Sequence, residues 1–207
     1  MQIVVKGTTE QYQEFLSKPI PSDCQIYRYG FDSLPEQTAI WFNLNFEEDD
    51  QSIPEAGNSI VFVNAVLVTL PKLPSNYVRI NAWNGFMQRP IVELVAGDQE
   101  EKVKDILNQL HWSYTFVPDV PGMITARVIS MIINEAYFAW GDNVSSKADI
   151  DTAMKLGTNY PMGPFEWCEK IGIKKVYKLL SMLAEEDKRY TPAPALETEY
   201  AQSIAIK

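Results

Sequence analysis

Short runs rich in β-branched and aromatic residues recur through the first half of the chain, and this pattern predicts β-strands. The predicted strands cover residues 3–5, 24–29, 39–46, 59–66, 77–83 and 91–96. Several runs, such as Ile-Val-Phe-Val at residues 60–63, are apolar throughout instead of alternating with polar residues. Continuous apolar runs are typical of strands buried on both faces of a parallel sheet. We therefore expect a central, largely parallel sheet with helices covering its faces.

Two helices are predicted within this half of the chain. Thr8 or Thr9 can cap a helix that extends to about Ser17, because either side chain can accept a hydrogen bond from the first turn. A second helix begins at Asp98 and carries its apolar residues at helical spacing, at Val103, Ile106, Leu107 and Leu110. Residues 46–59 are expected to cross directly from one strand to the next.

After residue 118 every periodic segment is helical. The Pro-Asp-Val-Pro-Gly stretch at residues 118–122 interrupts the strand pattern, and we place the domain boundary there. The predicted domains are residues 1–118 and 119–207. Residues 124–140 are apolar all round, as expected of a helix buried in a core or in a subunit interface.

Capping signals divide the rest of this half into shorter helices. The serine pair at residues 145–146 caps a helix that is predicted to stop at Gly157, and Pro164 opens a short helix. Residues 173–183 have the spacing of an amphipathic helix. The charged, proline-containing stretch 184–194 is interpreted as a loop or an extended tail. The overall prediction is an α/β sheet domain followed by an all-α domain.

Composition narrows the classes of partner. The formal net charge is −9 and the sequence pI is about 4.7, so the average surface repels nucleic-acid phosphates and anionic lipid headgroups. No basic stretch followed by a long apolar run opens the sequence, and no run approaches the roughly 18 apolar residues of a membrane helix. Cys24 and Cys168 are too few for a disulfide framework or a zinc site. We expect a cytoplasmic protein without metal, nucleic-acid or membrane partners.

Four stretches in the second half point to a known family. Residues 148–157 read Ala-Asp-Ile-Asp-Thr-Ala-Met-Lys-Leu-Gly, and residues 160–166 read Tyr-Pro-Met-Gly-Pro-Phe-Glu. Upstream, residues 119–122 read Asp-Val-Pro-Gly, and residues 134–136 read Asn-Glu-Ala. Together they resemble the signature of the carboxy-terminal domain of 3-hydroxyacyl-CoA dehydrogenases. The resemblance implies a shortened Rossmann-like sheet, an all-α domain of the 3-hydroxyacyl-CoA dehydrogenase and 6-phosphogluconate dehydrogenase-like type, and a homodimer through the helical domain.

The Pro-Met-Gly-Pro-Phe-Glu segment is interpreted as a rigid turn. Pro161 fixes φ, Gly163 is expected to adopt positive φ, and Pro164 starts the next helix. Turns rich in glycine and proline position helices far more often than they perform chemistry. An architectural role is therefore favoured over a catalytic one.

The resemblance also implies a catalytic pair, a histidine base and a glutamate that orients it. Counted back from Val-Glu-Leu-Val at residues 92–95, the glutamate position is Glu93 and the histidine position is Asn81. An amide side chain does not accept a proton near neutral pH. Glu93 is then expected to be a structural acceptor or, acting alone, a weak base. The sole histidine, His111, lies outside the matching motif.

The other polar positions of the family are mostly replaced as well. The family asparagine falls on Ala126, whereas the neighbouring Arg127 is retained. The stretch that supplies the family's substrate-binding serine best matches residues 64–67, with Asn64 retained and Leu67 at the serine position. The expected substrate contacts are thus reduced to Asn64 and Arg127.

A dinucleotide site is not expected from the first strand and the turn that follows it. A Gly-x-Gly-x-x-Gly turn should stand there, but Gly7 is the one glycine and Glu10 would repel a pyrophosphate. We therefore expect no cofactor, or NAD bound in an unusual mode.

Three hypotheses follow from these replacements. The leading one is a catalytically degenerate homologue that binds a CoA-like small molecule or forms dimers. An active NAD-dependent 3-hydroxyacyl-CoA dehydrogenase with a rearranged site is the alternative. The third hypothesis is a structural module that only dimerises.

Overall fold

The computed structural model describes residues 1–35, 39–49 and 53–205, and the chain forms two compact units. We call residues Met1–Met123 the α/β unit and residues Ile124–Lys207 the helical unit. Within the described residues, no helix combines the length and the apolar character that crossing a membrane requires.

The α/β unit is built on one seven-stranded sheet with the order β2-β1-β3-β4-β5-β6-β7. The strands are β1 (Gln2–Lys6), β2 (Gln25–Arg28), β3 (Ile40–Asn43), β4 (Val61–Asn64), β5 (Tyr77–Ile80), β6 (Ile91–Val95) and β7 (Ser113–Phe116). The first five are parallel, whereas β6 is antiparallel to β5 and β7 is parallel to β6. The predicted largely parallel sheet is confirmed, and β7 is a strand that the apolar pattern did not predict.

Both faces of the sheet are buried, as the continuous apolar runs predicted. One face packs Phe15 and Trp112 against strand residues Phe42 and Phe62, whose rings stack with centroids 4.6 Å apart. The other face is a second cluster that includes Trp41. The strand runs are apolar at successive positions because each strand contributes to both clusters.

Among its described residues, the α/β unit has the α-helices α1 (Thr9–Leu16), α2 (Phe46–Asp49) and α3 (Glu100–Gln109). Thr8 is the N-cap of α1, and the Gln11 amide closes a capping box with it. The prediction that residues 46–59 cross directly between strands is wrong, because α2 and a short 3-10 turn, Pro54–Ala56, lie there. A further 3-10 turn, Gly97–Gln99, precedes α3.

A buried arginine fastens the end of the α/β unit to the sheet. Arg79 on β5 is fully buried and donates to the carbonyl oxygens of Ala65, Val66 and Val120. It also forms an ion pair with Asp119. Burial lowers the pKa of Arg79, and the hydrogen bond and charge of Asp119 oppose that effect. The aspartate of the Asp-Val-Pro-Gly motif is thus held by β5.

The helical unit contains five α-helices: α4 (Thr125–Gly141), α5 (Lys147–Thr158), α6 (Pro164–Ile171), α7 (Ile173–Glu186) and α8 (Pro194–Ala205). The predicted loop 184–194 is partly wrong, because α7 continues to Glu186 and a 3-10 turn, Lys188–Tyr190, follows. Asn134 on α4 fixes the connection to α8, since its side chain donates to Thr191 O and accepts from Ala193 N.

The end of α5 differs from its prediction. Gly157 lies inside the helix. The last residue of α5 is Thr158, and the C-cap that follows it, Asn159, has a φ of 56°, in the left-handed region. Asparagine tolerates this conformation better than most residues, so it takes the role that was assigned to the glycine. The predicted start is confirmed, because Ser146 caps α5 through the Asp149 N–H group.

Candidate functional site

Three buried asparagines mark the carboxyl ends of β3, β4 and β5. Asn43 and Asn64 are the last residues of their strands, and Asn81 directly follows β5. Ligands of open α/β sheets bind outside the carboxyl ends of the parallel strands. This edge is therefore the candidate site of the α/β unit, and it holds four of the sequence-predicted residues: Asn64, Leu67, Asn81 and Glu93.

Asn81 and Glu93 are hydrogen-bonded to each other. Asn81 Nδ2 lies 3.4 Å from Glu93 Oε2, and the Asn81 backbone N–H donates to Glu93 O at 3.1 Å. Asn81 is only 3% exposed, and its Oδ1 has no hydrogen-bond partner among the described residues. Asn81 stands where the family resemblance implied a histidine, and its amide does not accept a proton near neutral pH.

The Asn64 side chain forms hydrogen bonds with the backbone segments that follow β3 and β5, the two neighbours of β4. Its Oδ1 accepts from Ala82 N at 3.0 Å, and its Nδ2 donates to Leu44 O at 3.1 Å. The side chain is fully buried. Both ends of its amide are therefore used to fix the segments that leave β3 and β5, which is a structural role.

Glu47 on α2, which sequence analysis did not identify, reaches into the same edge. Its Oε1 accepts from Leu67 N at 2.5 Å, and its Oε2 accepts from Trp83 Nε1 at 3.1 Å. Leu67, for which the resemblance implied a serine position, contributes its backbone N–H group. The partner of that group is a carboxylate of the chain itself.

A second carboxylate from α1 binds the loop after β5. Both oxygens of Glu14 accept from Gly85 N, at 2.7 and 2.8 Å, and Glu14 is only 4% exposed. Next to it, Glu10 accepts from Asn84 Nδ2 at 3.0 Å. Glu10 and Glu14 of α1 therefore bind the loop that follows β5, at the carboxyl edge of the sheet.

The turn between β1 and α1 does not fit a dinucleotide pyrophosphate. The Thr8 N–H group donates to the Gln11 side chain and Gln11 N–H donates to Thr8 Oγ1, so residues of this turn satisfy the donors that a phosphate would need. A Cβ atom at Gly7 would lie 3.1 Å from Gln11 Oε1 and 3.2 Å from Leu44 Cβ, so the space beside this glycine is filled. Glu10 adds negative charge in the first turn of α1.

Ala126 and Arg127, the remaining predicted site residues, lie in the first turn of α4 in the helical unit. Ala126 is fully buried and offers only a methyl group where the resemblance implied an asparagine. The Arg127 guanidinium lies over the Tyr190 ring, 5.5 Å from its centroid. One turn further along α4, Ser130 is fully buried, and its hydroxyl has no hydrogen-bond partner among the described residues.

The motif residues of the helical unit build the turn between α5 and α6. Asp151 Oδ1 accepts from Phe165 N at 2.8 Å, and Glu166 accepts from Gly163 N at 2.8 Å and pairs with Lys155. Hydrogen bonds from Lys155 and from the Gly163 N–H lower the pKa of Glu166. The positive φ expected of Gly163 is wrong, because its φ is −73°. A Cβ atom there would lie 2.3 Å from Asp151, so close approach is what requires the glycine.

A cavity of about 480 Å³ lies within the helical unit. The residues around it include Tyr137, Lys147, Cys168, Glu169 and Glu199. The Lys147 ammonium pairs with Glu199 and lies 5.0 Å from the Tyr137 ring centroid. Burial raises the pKa of Cys168 to about 11, so the thiol stays protonated at neutral pH and is a poor nucleophile.

His111 is exposed in a turn before β7, with a φ of 57°. Across residues 1–35, 39–49 and 53–205, no three His, Cys, Asp or Glu side chains form a group suited to a metal ion.

Comparison with known proteins identifies relatives of the helical unit. Residues 122–203 match the family model described as 3-hydroxyacyl-CoA dehydrogenase, C-terminal domain. The 3-hydroxybutyryl-CoA dehydrogenase of Clostridioides difficile is 35% identical over 132 residues, which are 60% of this chain and 47% of that protein. The 3-hydroxyadipyl-CoA dehydrogenase of Escherichia coli is 44% identical over 82 residues, 39% of this chain and 17% of that protein. The matches span less than half of either relative.

The fold of the whole chain also has a counterpart among solved structures. The crystal structure of (S)-3-hydroxybutyryl-CoA dehydrogenase PaaH1 from Ralstonia eutropha aligns with 98% of this chain and 94% of its own, with a TM-score of 0.72. The identity is 18%, so this likeness concerns the fold alone.

Proposed function

We propose that this chain, whose residues 122–203 match the C-terminal domain of 3-hydroxyacyl-CoA dehydrogenases, is a homologue without the dehydrogenase reaction. We propose further that it acts as a dimer formed through its helical unit. The relatives are named for the oxidation of 3-hydroxyacyl-CoA thioesters. That chemistry requires a group that takes the hydroxyl proton and a site for the hydride acceptor. We propose that this chain meets neither requirement.

The pairing of Asn81 with Glu93 is the observation that carries the proposal. A primary amide has no basic nitrogen, so Asn81 cannot remove a hydroxyl proton near neutral pH. Its Nδ2 group instead donates to Glu93 at 3.4 Å, which engages the carboxylate that could act as a base on its own. The pair is suited to holding β5 and β6 together and not to proton transfer.

The β1–α1 turn supports the same conclusion for the cofactor. NAD would need free N–H donors at the start of α1 and room beside glycines. The Thr8 and Gln11 capping box uses those donors, and Glu10 opposes a pyrophosphate. We therefore propose that the chain does not use NAD.

An exposed apolar stripe on α4 supports the dimer. Ile124, Val128 and Phe138 are 51%, 52% and 37% exposed, and their spacing places them on one side of the helix. Val144, in the connection before α5, and Leu156, in the last turn of α5, are 72% and 83% exposed. Exposed apolar patches of this kind mark interaction surfaces. A second copy of the helical unit is the partner that the family resemblance implies.

Activity and cofactor binding test the first part of the proposal. With acetoacetyl-CoA and NADH, we expect no NADH oxidation above the protein-free rate. A thermal shift measured at millimolar NADH should be absent, whereas a site filled to 100 times its dissociation constant would stabilise the fold by about 2.7 kcal/mol. Oxidation of NADH that disappears in Glu93→Ala would overturn the proposal.

An active NAD-dependent dehydrogenase with a rearranged site is the second candidate. The retained carboxylate of Glu93 favours it, because a carboxylate can serve as a base when its surroundings raise its pKa. The Asn81→His variant separates the two candidates. Under our proposal this variant stays inactive, because the β1–α1 turn still excludes the cofactor, whereas a rearranged active site would respond to the added imidazole.

Light scattering tests the dimer. We expect a mass of twice 23.5 kDa for the wild type and a mass near that of one chain for Val128→Glu, because a carboxylate would be buried at the interface without a partner. Phe31→Ser is the control, since Phe31 is 73% exposed but belongs to the α/β unit. A monomeric wild type would contradict the dimer.

A further inference from the structure

Two N–H donors converge on a single carboxylate at the ends of β4 and β5. Leu67 N lies 2.5 Å from Glu47 Oε1, and Trp83 Nε1 lies 3.1 Å from Glu47 Oε2. Each carboxylate oxygen thus has a donor of its own. We call these two N–H groups the carboxylate cradle.

The donors of the cradle are held by the core of the α/β unit. Trp83 is fully buried, and the residue before it, Ala82, donates its backbone N–H to Asn64. Leu67 follows Val66, whose carbonyl oxygen accepts from Arg79 and from Gly122 N. Because both donors are fixed by buried hydrogen bonds, the cradle keeps its shape whatever occupies it.

The cradle is also in the field of a buried cation. Arg79 is fully buried, and the negative charge of Glu47 is among the influences that raise its pKa against the effect of burial. A buried guanidinium acts over a longer range than an exposed one, because water screens it less. An anion in the cradle is therefore stabilised by charge as well as by the two N–H groups.

The present occupant is held much less firmly than the donors. Glu47 is carried by α2, a single turn of four residues, Phe46–Asp49, and its side chain is only partly buried. Phe46 anchors the start of this turn in the core, but a turn of this length gains little from helical hydrogen bonds, so moving it disturbs less buried structure than moving the sheet. The site thus combines rigid donors with a replaceable ligand.

We propose that Leu67 N–H and the Trp83 indole N–H form a carboxylate-binding site that Glu47 occupies as an internal ligand, and that a small organic carboxylate takes its place when α2 is displaced. The flat carboxylate group matches the two donors, one for each oxygen. This assignment is independent of whether the helical unit dimerises and of whether NAD binds.

Removing the internal ligand tests the site. In the full-length Glu47→Ala variant, sodium acetate at constant ionic strength should raise Tm by about 2–4 °C, the shift that corresponds to roughly 1 kcal/mol for a protein of this size. The wild type and Glu48→Ala should need at least tenfold more acetate for the same shift, because Glu47 competes for the cradle. Glu48 is the matched control, since it is an exposed carboxylate on the same helix.

The Trp83 indole N–H resonance gives a direct readout, and Trp83→Phe assigns it. In Glu47→Ala it should move with acetate and saturate, and sodium phosphate at equal ionic strength should have at least tenfold weaker effect. If Glu47→Ala does not fold, Glu47→Gln serves in its place, because the amide puts an N–H group against a donor and weakens the internal ligand. The absence of a saturable shift in the folded variant, or equal responses to acetate and phosphate, would rule out a carboxylate site.

Discussion

The helical unit and the α/β unit use their polar side chains in different ways. In the helical unit, Asp151 and Glu166 belong to the family motif and hold the turn that starts α6. In the α/β unit, the carboxylates that hold the candidate site are Glu14 and Glu47, which belong to no motif. Motif residues thus build the turn of the helical unit, whereas carboxylates outside any motif hold the candidate site of the α/β unit. A match to a family signature is therefore stronger evidence for the architecture of a chain than for its reaction.

The largest effect is expected where the α/β unit does keep a motif contact. Arg79→Ala should lower the free energy of unfolding of this unit by about 3–5 kcal/mol, because Asp119 and three carbonyl oxygens lose a buried partner. Hydrogen exchange, followed separately in the two units, measures it. The control is Arg89→Ala at an exposed arginine, which should change stability by less than about 0.5 kcal/mol. If Arg79→Ala lowered hydrogen-exchange protection equally in the helical unit, the effect would not be confined to the α/β unit and the prediction would be wrong.

The second-largest effect is expected in the turn between α5 and α6 of the helical unit. Gly163→Ala should destabilise that unit by about 2–3 kcal/mol, since the new Cβ atom would lie 2.3 Å from Asp151. Gly157→Ala is the matched control, because it lies within α5 with no atom near the new methyl group. That variant should stabilise the unit by about 0.4–1 kcal/mol. Urea denaturation of both variants would measure the opposite signs, and a harmless Gly163→Ala would refute the close-approach argument.

Alkaline pH should weaken the helical unit through Cys168. Burial raises the pKa of this thiol from its ordinary 9.0 to about 11, so the unfolded chain loses the proton at lower pH than the folded one. The contribution of this thiol to the free energy of unfolding is fully present below pH 9, and it is lost as the pH rises through 11. At pH 10 the loss is roughly 1 kcal/mol. Thermal unfolding of Cys168→Ala between pH 8 and pH 10 should show a shallower decline; burial also raises the pKa of Tyr137, so part of the decline remains.

Helix caps provide the smallest test, because each unit has one of the same kind. Thr8→Ala and Ser146→Ala each remove a hydroxyl that accepts an N–H group in the first turn, of α1 and α5 respectively. Each should cost about 1 kcal/mol, confined to its own unit. Unit-resolved hydrogen exchange would detect the difference, and a loss spread evenly over both units would mean that they unfold together.

Much of the fold could be predicted because its determinants are local. The six predicted strands are confirmed, since runs such as residues 60–63 are buried on both sides. β7 was missed because Ser113–Phe116 is short and alternates exposed with half-buried residues. α8 was missed because it buries mainly Leu196, which gives too weak a periodic signal.

The candidate site was predicted only in part. Counting along the family motif selected Asn81 and Glu93, and their side chains are hydrogen-bonded at 3.4 Å. The role of either residue in a reaction stays a prediction. Glu14 and Glu47 were missed, since their partners lie 71 and 20 or more residues away and no local pattern distinguishes them from solvent-exposed glutamates. One signal was available for Glu14, which adjoins the core residue Phe15 on the inner side of α1.

The two ends of the sheet have a consequence for how copies of this chain meet. β2 and β7 are the edge strands, each four residues long, and they expose polar residues such as Gln25, Ser113 and Thr115. Short polar edges are poor templates for a strand from another molecule. Edge-to-edge growth of the sheet, the usual route by which exposed strands aggregate, is therefore disfavoured even when the chain is concentrated.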